Sequence, residues 1–134
     1  MHIIMNGCPK DAWIKLNPGQ VCFYRIKYSA EMLQRLIPDI SSLPPVDRLG
    51  LASDMFALSY AGYSATTNFL DLLKGYTKEE NYTVWNDIDC NLGCLGILIQ
   101  NMSDVIEPYR NFILKLYKPV FEKLGWEPQE NEGI

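Results

Sequence analysis

The sequence predicts a mainly α fold: a short N-terminal β-hairpin unit followed by antiparallel helix hairpins, the start of an α-solenoid-like helical domain. Three observations predict it. Up to residue 28 the apolar residues alternate with a period near two, and from Ser29 onward the period approaches four. Residues 44–62, opened by two prolines and closed by a glycine, carry two adjoining apolar stripes. Leu49, Ala52, Phe56 and Tyr60 form one, and Leu51, Met55, Leu58 and Ala61 the other, so this stretch is expected to be a buried central helix. Finally, the loops between helical stretches are short, which makes successive helices antiparallel neighbours, although no strict repeat marks a solenoid.

In chain order, residues 2–5 read as a strand stopped by the turn dipeptide Asn6-Gly7. Residues 13–16 alternate apolar and polar, and residues 21–28 (VCFYRIKY) are rich in β-branched and aromatic side chains. Between them Pro18 supplies a fixed φ and Gly19 a positive one, the chemistry of a type II turn, so a hairpin is expected. Two or three strands seldom hold alone in water, so this unit must lean on the helices or on a sheet that this chain does not contain.

Ser29 is placed to cap a helix over residues 30–37, ended by Pro38. After the central helix, Ser64 is expected to cap a shorter one over 65–74, closed by Gly75 in a left-handed conformation. A long helix follows from Thr77 or Asn81 to about Gln100, with Gly93 and Gly96 inside it; a close backbone neighbour would compensate their cost. Ser103 is read as the cap of the last helix, whose apolar register from Val105 to Leu124 is the cleanest in the chain. Pro108 falls in its first turns, Pro119 is expected to kink it near Lys115, and Gly125 ends it. Residues 127–134 lose the period and are expected to fray.

At 134 residues the chain has room for one domain of ordinary size. The formal charge of −4, with no basic block, argues against a nucleic-acid partner. No apolar run approaches the roughly 18–20 residues of a membrane span, and the N-terminus lacks the charged start of a signal peptide. The expectation is a soluble, cytoplasmic protein. Cys8, Cys22, Cys90 and Cys94 could be two disulfides, a zinc site or reduced thiols. Cys90 and Cys94 share a helix face rather than the tight loop of a zinc knuckle, and buried free thiols are favoured.

Residue by residue, the chain offers little chemistry. His2 is the one histidine, so an H-E-x-x-H motif and any Ser-His or Cys-His pair are absent. Asp87 and Asp89 are two apart on a helix, do not face each other, and read as a solvated face. Asp47, Arg48 and Asp54 interrupt an otherwise apolar helix. Arg48 or Asp54 could reach a ligand, but an ion pair or cap holding neighbouring loops is the preferred reading. Phe23, Tyr24 and Tyr28 could form a stacking platform, yet with Arg25 and Lys27 as the basic neighbours core packing is favoured. Sequons at Asn81 and Asn101 are discounted without a secretory signal.

The stretches WIKLNPGQVCFYRIKYS (13–29), LPPVDRLGLASDMFALSYAG (43–62), NYTVWNDIDCNLG (81–93) and LGW (124–126) together resemble one family. They are similar to the zinc aminopeptidases of the H-E-x-x-H gluzincin type, in the puromycin-sensitive aminopeptidase branch, nearly collinearly over residues 8–133. The resemblance implies that residues 1–28 are the terminal strands of a β-sandwich domain and residues 29–134 the first helices of a C-terminal helical domain. It departs at Cys22, where the family usually has glycine before F-Y-R. The catalytic parts of such an enzyme are missing: the zinc ligands, the G-A-M-E-N segment and the catalytic tyrosine in its context.

What the resemblance implies is a non-catalytic structural fragment whose helical part bounds the active-site cavity of a parent enzyme that trims N-terminal residues from peptides. No residue is expected to be catalytic, to bind a cofactor or to ligate metal; zinc belongs to the parent. The expected partners are the rest of the parent and, within it, the peptide substrate. Exposed apolar faces, with Trp13, Phe23, Tyr24 and part of the last helix as candidates, are expected to pair copies of the chain. The alternative is an independent helical module that binds a protein or peptide.

Overall fold

The computed structural model describes residues 11–125 together with Gly7 and Pro9. The predicted strand at 2–5, the thiol of Cys8 and the tail at 127–134 lie outside the described residues. Five α-helices form: α1 Ala30–Leu36, α2 Pro45–Tyr60, α3 Thr66–Leu73, α4 Tyr82–Ile99 and α5 Ser103–Leu124.

Among the described residues no strand forms, which corrects the expected hairpin. The turn itself is as predicted: Gly19 has φ 72° and ψ 6°, and Gln20 N donates to Asn17 O at 3.1 Å. The arms fail to pair because other acceptors take their amides. Leu16 N donates to Tyr28 Oη at 3.0 Å, Cys22 N to Asn17 Oδ1 at 2.9 Å, and Ile26 N to Asp54 Oδ2 at 3.1 Å. With these three amides held by side chains, a lone two-stranded ladder has little left to gain. Cys22 has an ordinary negative φ, so its backbone makes no demand for the family's glycine.

Ser29 caps α1 as expected, accepting from Met32 N at 3.2 Å. Pro38 stops the α-helix, and the chain tightens into a 3-10 stretch, Ile37–Ser42, before α2 begins at the second proline. Gly62, with φ 77°, lets the chain turn away after α2.

Three expected end signals differ. Ala65, not Ser64, occupies the N-cap of α3, and Ser64 Oγ instead accepts from Asn68 Nδ2 at 3.2 Å. Met102, not Ser103, occupies the N-cap of α5. Gly75 lies in a 3-10 turn, Lys74–Tyr76, with no positive φ. Its requirement is space: a Cβ there would lie 2.9 Å from Ile37 O and 2.8 Å from Ile40 Cδ1. Asn81 is the cap of α4, accepting from Thr83 N and Val84 N.

Helix directions follow from the contacts. Phe56 meets Phe69 edge-on at 5.4 Å while Tyr76 Oη donates to Arg48 O, so the chain runs back along α2 through α3. Pro45 and Leu49 share a crevice with Thr83 and Val84, and Phe56 and Tyr60 share one with Leu95 and Leu98, so α2 and α4 run parallel. Tyr109 Oη donates to Leu92 O, Tyr117 Oη to Asp89 Oδ1, and Lys123 pairs with Glu80, which makes α5 antiparallel to α4. The core lies around α2, where Leu51, Ala52 and Met55 meet Phe69, Leu72, Leu73, Tyr76, Val84 and Ile88, all almost completely buried.

Candidate functional site

Helix α2 places three charged side chains where the sequence marked them, and each is bound inside the protein. Asp47 Oδ1 accepts from Gly19 N at 2.8 Å and faces Lys15 Nζ at 3.3 Å. Asp54, two turns on, accepts from Ile26 N and from Arg25 Nη1, both at 3.1 Å. Together the two carboxylates fasten residues 13–28 to α2. For Asp54 the preferred structural reading, an ion pair holding a neighbouring loop, holds.

Arg48 points to the opposite side. Its Nε and Nη2 grip Glu79 Oε2 and Oε1 at 2.5 and 2.8 Å, and Nη1 donates to Leu43 O. Glu79 also accepts from Glu80 N at 2.9 Å and Asn81 N at 2.8 Å, so one carboxylate sets the start of α4. Burial would raise the Glu79 carboxyl, but the Arg48 guanidinium and the two backbone donors outweigh it and hold it below the ordinary glutamate value. Glu79 was not singled out in the sequence, where its one signal is an acidic residue just before an N-cap asparagine. Its partner lies 31 residues away, a separation no local pattern reveals.

The remaining candidates scatter. Asp89 binds Tyr117 Oη at 2.9 Å, and the partly buried Asp87 accepts from Asn91 Nδ2, so neither is simply solvated. Tyr28 is core, as expected, whereas Phe23 and Tyr24 are exposed, contrary to the packing reading but in line with their candidacy as exposed apolar surface. Trp13 is partly covered and donates to Asp39 Oδ2 at 2.7 Å. Cys22, Cys90 and Cys94 are free and exposed, which corrects the expectation of burial. His2 and Cys8 lie outside the described residues. Among those described, no three His, Cys, Asp or Glu side chains come together to hold a metal, so these residues do not fit the zinc that such enzymes use.

Two open apolar grooves remain. One, of about 570 Å³, is walled by Tyr82 and Trp85 of α4 and by Tyr117, Val120 and Leu124 of α5. The other, of about 430 Å³, runs between Leu70 of α3, Leu95 and Ile99 of α4, and Val105 and Phe112 of α5. The regular stripe on α5 is therefore only half used: Tyr109 and Leu116 are buried, while Val105, Phe121 and Leu124 are exposed.

The chain thus closes the charges of α2 into structural pairs and leaves two apolar grooves open. It is 34% identical over 131 residues to the puromycin-sensitive aminopeptidase of Caenorhabditis elegans, covering 96% of this chain and 14% of that protein. Aminopeptidase M1-A of Oryza sativa subsp. japonica is 31% identical, covering 92% of this chain and 14% of its own length. The alanine/arginine aminopeptidase of Saccharomyces cerevisiae is 31% identical, with 92% and 15% covered. The chain thus spans about one seventh of the curated relatives it matches. The model of the ERAP1-like C-terminal domain matches residues 13–134, taking in the α2 anchor and every helix, and the chain belongs to that family.

Proposed function

We propose that the chain is a non-catalytic structural piece of a zinc aminopeptidase that trims N-terminal residues from peptides, and that its helices bound the active-site cavity of the parent. In the parent, where the rest of a sheet would lie beside them, residues 1–28 are then assigned to the end of a β-sandwich domain, and residues 29–134 open the solenoid-like helical domain. Zinc and the peptide-cleaving groups belong to the absent part, no residue here is catalytic, and the enzyme works in the cytoplasm. One observation supports this above others. The charged side chains on the buried helix of a C-terminal-domain family member are consumed by Lys15, Arg25, Glu79 and backbone amides, which leaves no free acid, base or ligand set there.

The test pairs two measurements on one purified sample: release of a fluorogenic amino-acid amide, and metal content. No turnover and no stoichiometric zinc are expected, because metal-assisted hydrolysis needs three protein ligands, an open position and a base. Turnover that survives purification and is lost to a chelator would overturn the reading. The open grooves also suit an independent peptide-binding module. Size-exclusion chromatography with and without the separately produced catalytic region separates the two, since a structural piece co-migrates with it and an independent module does not.

A further inference from the structure

We propose that Cys90 and Cys94 form a two-thiol site for a thiophilic centre of low coordination number, with a monosubstituted trivalent arsenical as the ligand class. Both thiols are free and exposed on α4, four residues apart and hence on one face. At that spacing the Cβ atoms are about 5–6 Å apart. A disulfide requires Cβ atoms roughly 3.5–4.5 Å apart, so direct oxidation would have to distort the helix. An intervening atom bonded to both sulfurs, at roughly 2.3 Å each as in metal thiolates, bridges the gap with the helix intact.

The surroundings fit a small, partly apolar ligand. No third metal-binding side chain joins the pair among the described residues, which suits a centre satisfied by two sulfurs rather than four-coordinate zinc. Gly93, one turn beyond Cys90, has nothing within 4 Å of where a Cβ would stand, so the approach is open. Ile97 and Leu98, one turn beyond Cys94, are 67% and 60% exposed and offer an apolar surface to an aryl substituent. The step balances without an oxidant: an arsine oxide, R–As=O, and two thiols give R–As(S–Cys)2 and water. Two As–S bonds form, the As–O bond breaks, both thiol protons leave with the oxygen, and arsenic stays trivalent.

Titration of the chain with phenylarsine oxide, followed by intact mass and by loss of reactive thiols, tests this. The expected product is a one-to-one adduct that removes two thiols and is reversed by 2,3-dimercaptopropanol but not by an equivalent monothiol. Cys90→Ser and Cys94→Ser should each weaken binding at least about a hundredfold, because the second bond ceases to be intramolecular. The Cys8→Ser/Cys22→Ser variant should bind as the unaltered chain does. Peptide mapping of the unaltered adduct gives the location without any substitution. A bridge mapped to other cysteines, an adduct that persists in the two single variants, or one lost with Cys8 and Cys22 would overturn the site.

Discussion

Helix α2 turns its charges inward and has every one of them met, whereas α4 buries Val84, Ile88 and Leu92 and leaves Cys90, Cys94, Ile97 and Leu98 in the open. The two helices run side by side, share one core and differ in how their outer surfaces are finished. Around α2, carboxylates and a guanidinium are specific partners for loops that lack a ladder of their own. On α4 and α5, apolar periodicity exceeds what the described neighbours cover. Stability is therefore concentrated on the α2 side, and substitutions on the two sides should differ in size and even in sign.

The largest effect is expected at the buried pair. In Glu79→Ala the Arg48 guanidinium, 14% exposed, keeps its charge without its partner, and about 3–5 kcal/mol of stability should be lost. Urea unfolding measures this, and Arg48→Met/Glu79→Leu should recover much of the loss by removing both charges. Next comes Gly75→Ala, where the added methyl meets Ile37 O and Ile40 Cδ1 and should cost about 1–3 kcal/mol. Gly93→Ala, on the open face of α4, should go the other way and gain about 0.5–1 kcal/mol from helix propensity. Equal signs for the two glycine variants would erase the contrast between the helices.

The smallest effect is a difference in acid response. Glu79 has a depressed pKa in the folded state, so its contribution is complete above the ordinary glutamate range and is lost as pH falls through the folded value. Asp87 is opposite: burial raises its carboxyl despite the Asn91 amide and the Arg25 charge, so it costs stability when ionised and that cost fades as pH falls. Asp87→Asn should thus add no more than about 0.5 kcal/mol near neutrality, and its stability should fall more steeply with acid. Glu79→Ala should show a flatter acid limb. Urea midpoints measured from pH 7 down to about 3.5 compare all three proteins.

The helices were legible because their signals are local. Periodicity located all five, Pro38, Gly62 and Gly125 marked three ends, Ser29 marked a start that the structure keeps, and of the two starts offered for α4, Thr77 and Asn81, the structure takes Asn81. The failures share a cause. Whether residues 13–16 and 21–28 pair as strands depends on what else can take their amides, and the takers are side chains that no alternation pattern reveals: Tyr28 for Leu16, Asn17 for Cys22, and Asp54, 28 residues away, for Ile26. Gly75 looked like a cap because glycine often is one, yet its role is set by Ile37 and Ile40 on another segment. Asp47, Arg48 and Asp54 stood out as charges on an apolar helix, but Glu79, on a polar stretch, did not.

The loop over residues 13–28 also carries a consequence for the order of events in time. Asn17, Gly19 and Gln20 all sit at positive φ, and the Gly19 and Ile26 amides find their acceptors on a helix 28 residues further along the chain. Contacts between partners 28 residues apart are expected to close only after the helix that supplies the acceptors is in place. The loop over residues 13–28 is therefore expected to dock onto a formed α2 rather than to help build it. Removing the Asp47 or Asp54 carboxylate should therefore quicken unfolding while leaving the refolding rate almost unchanged.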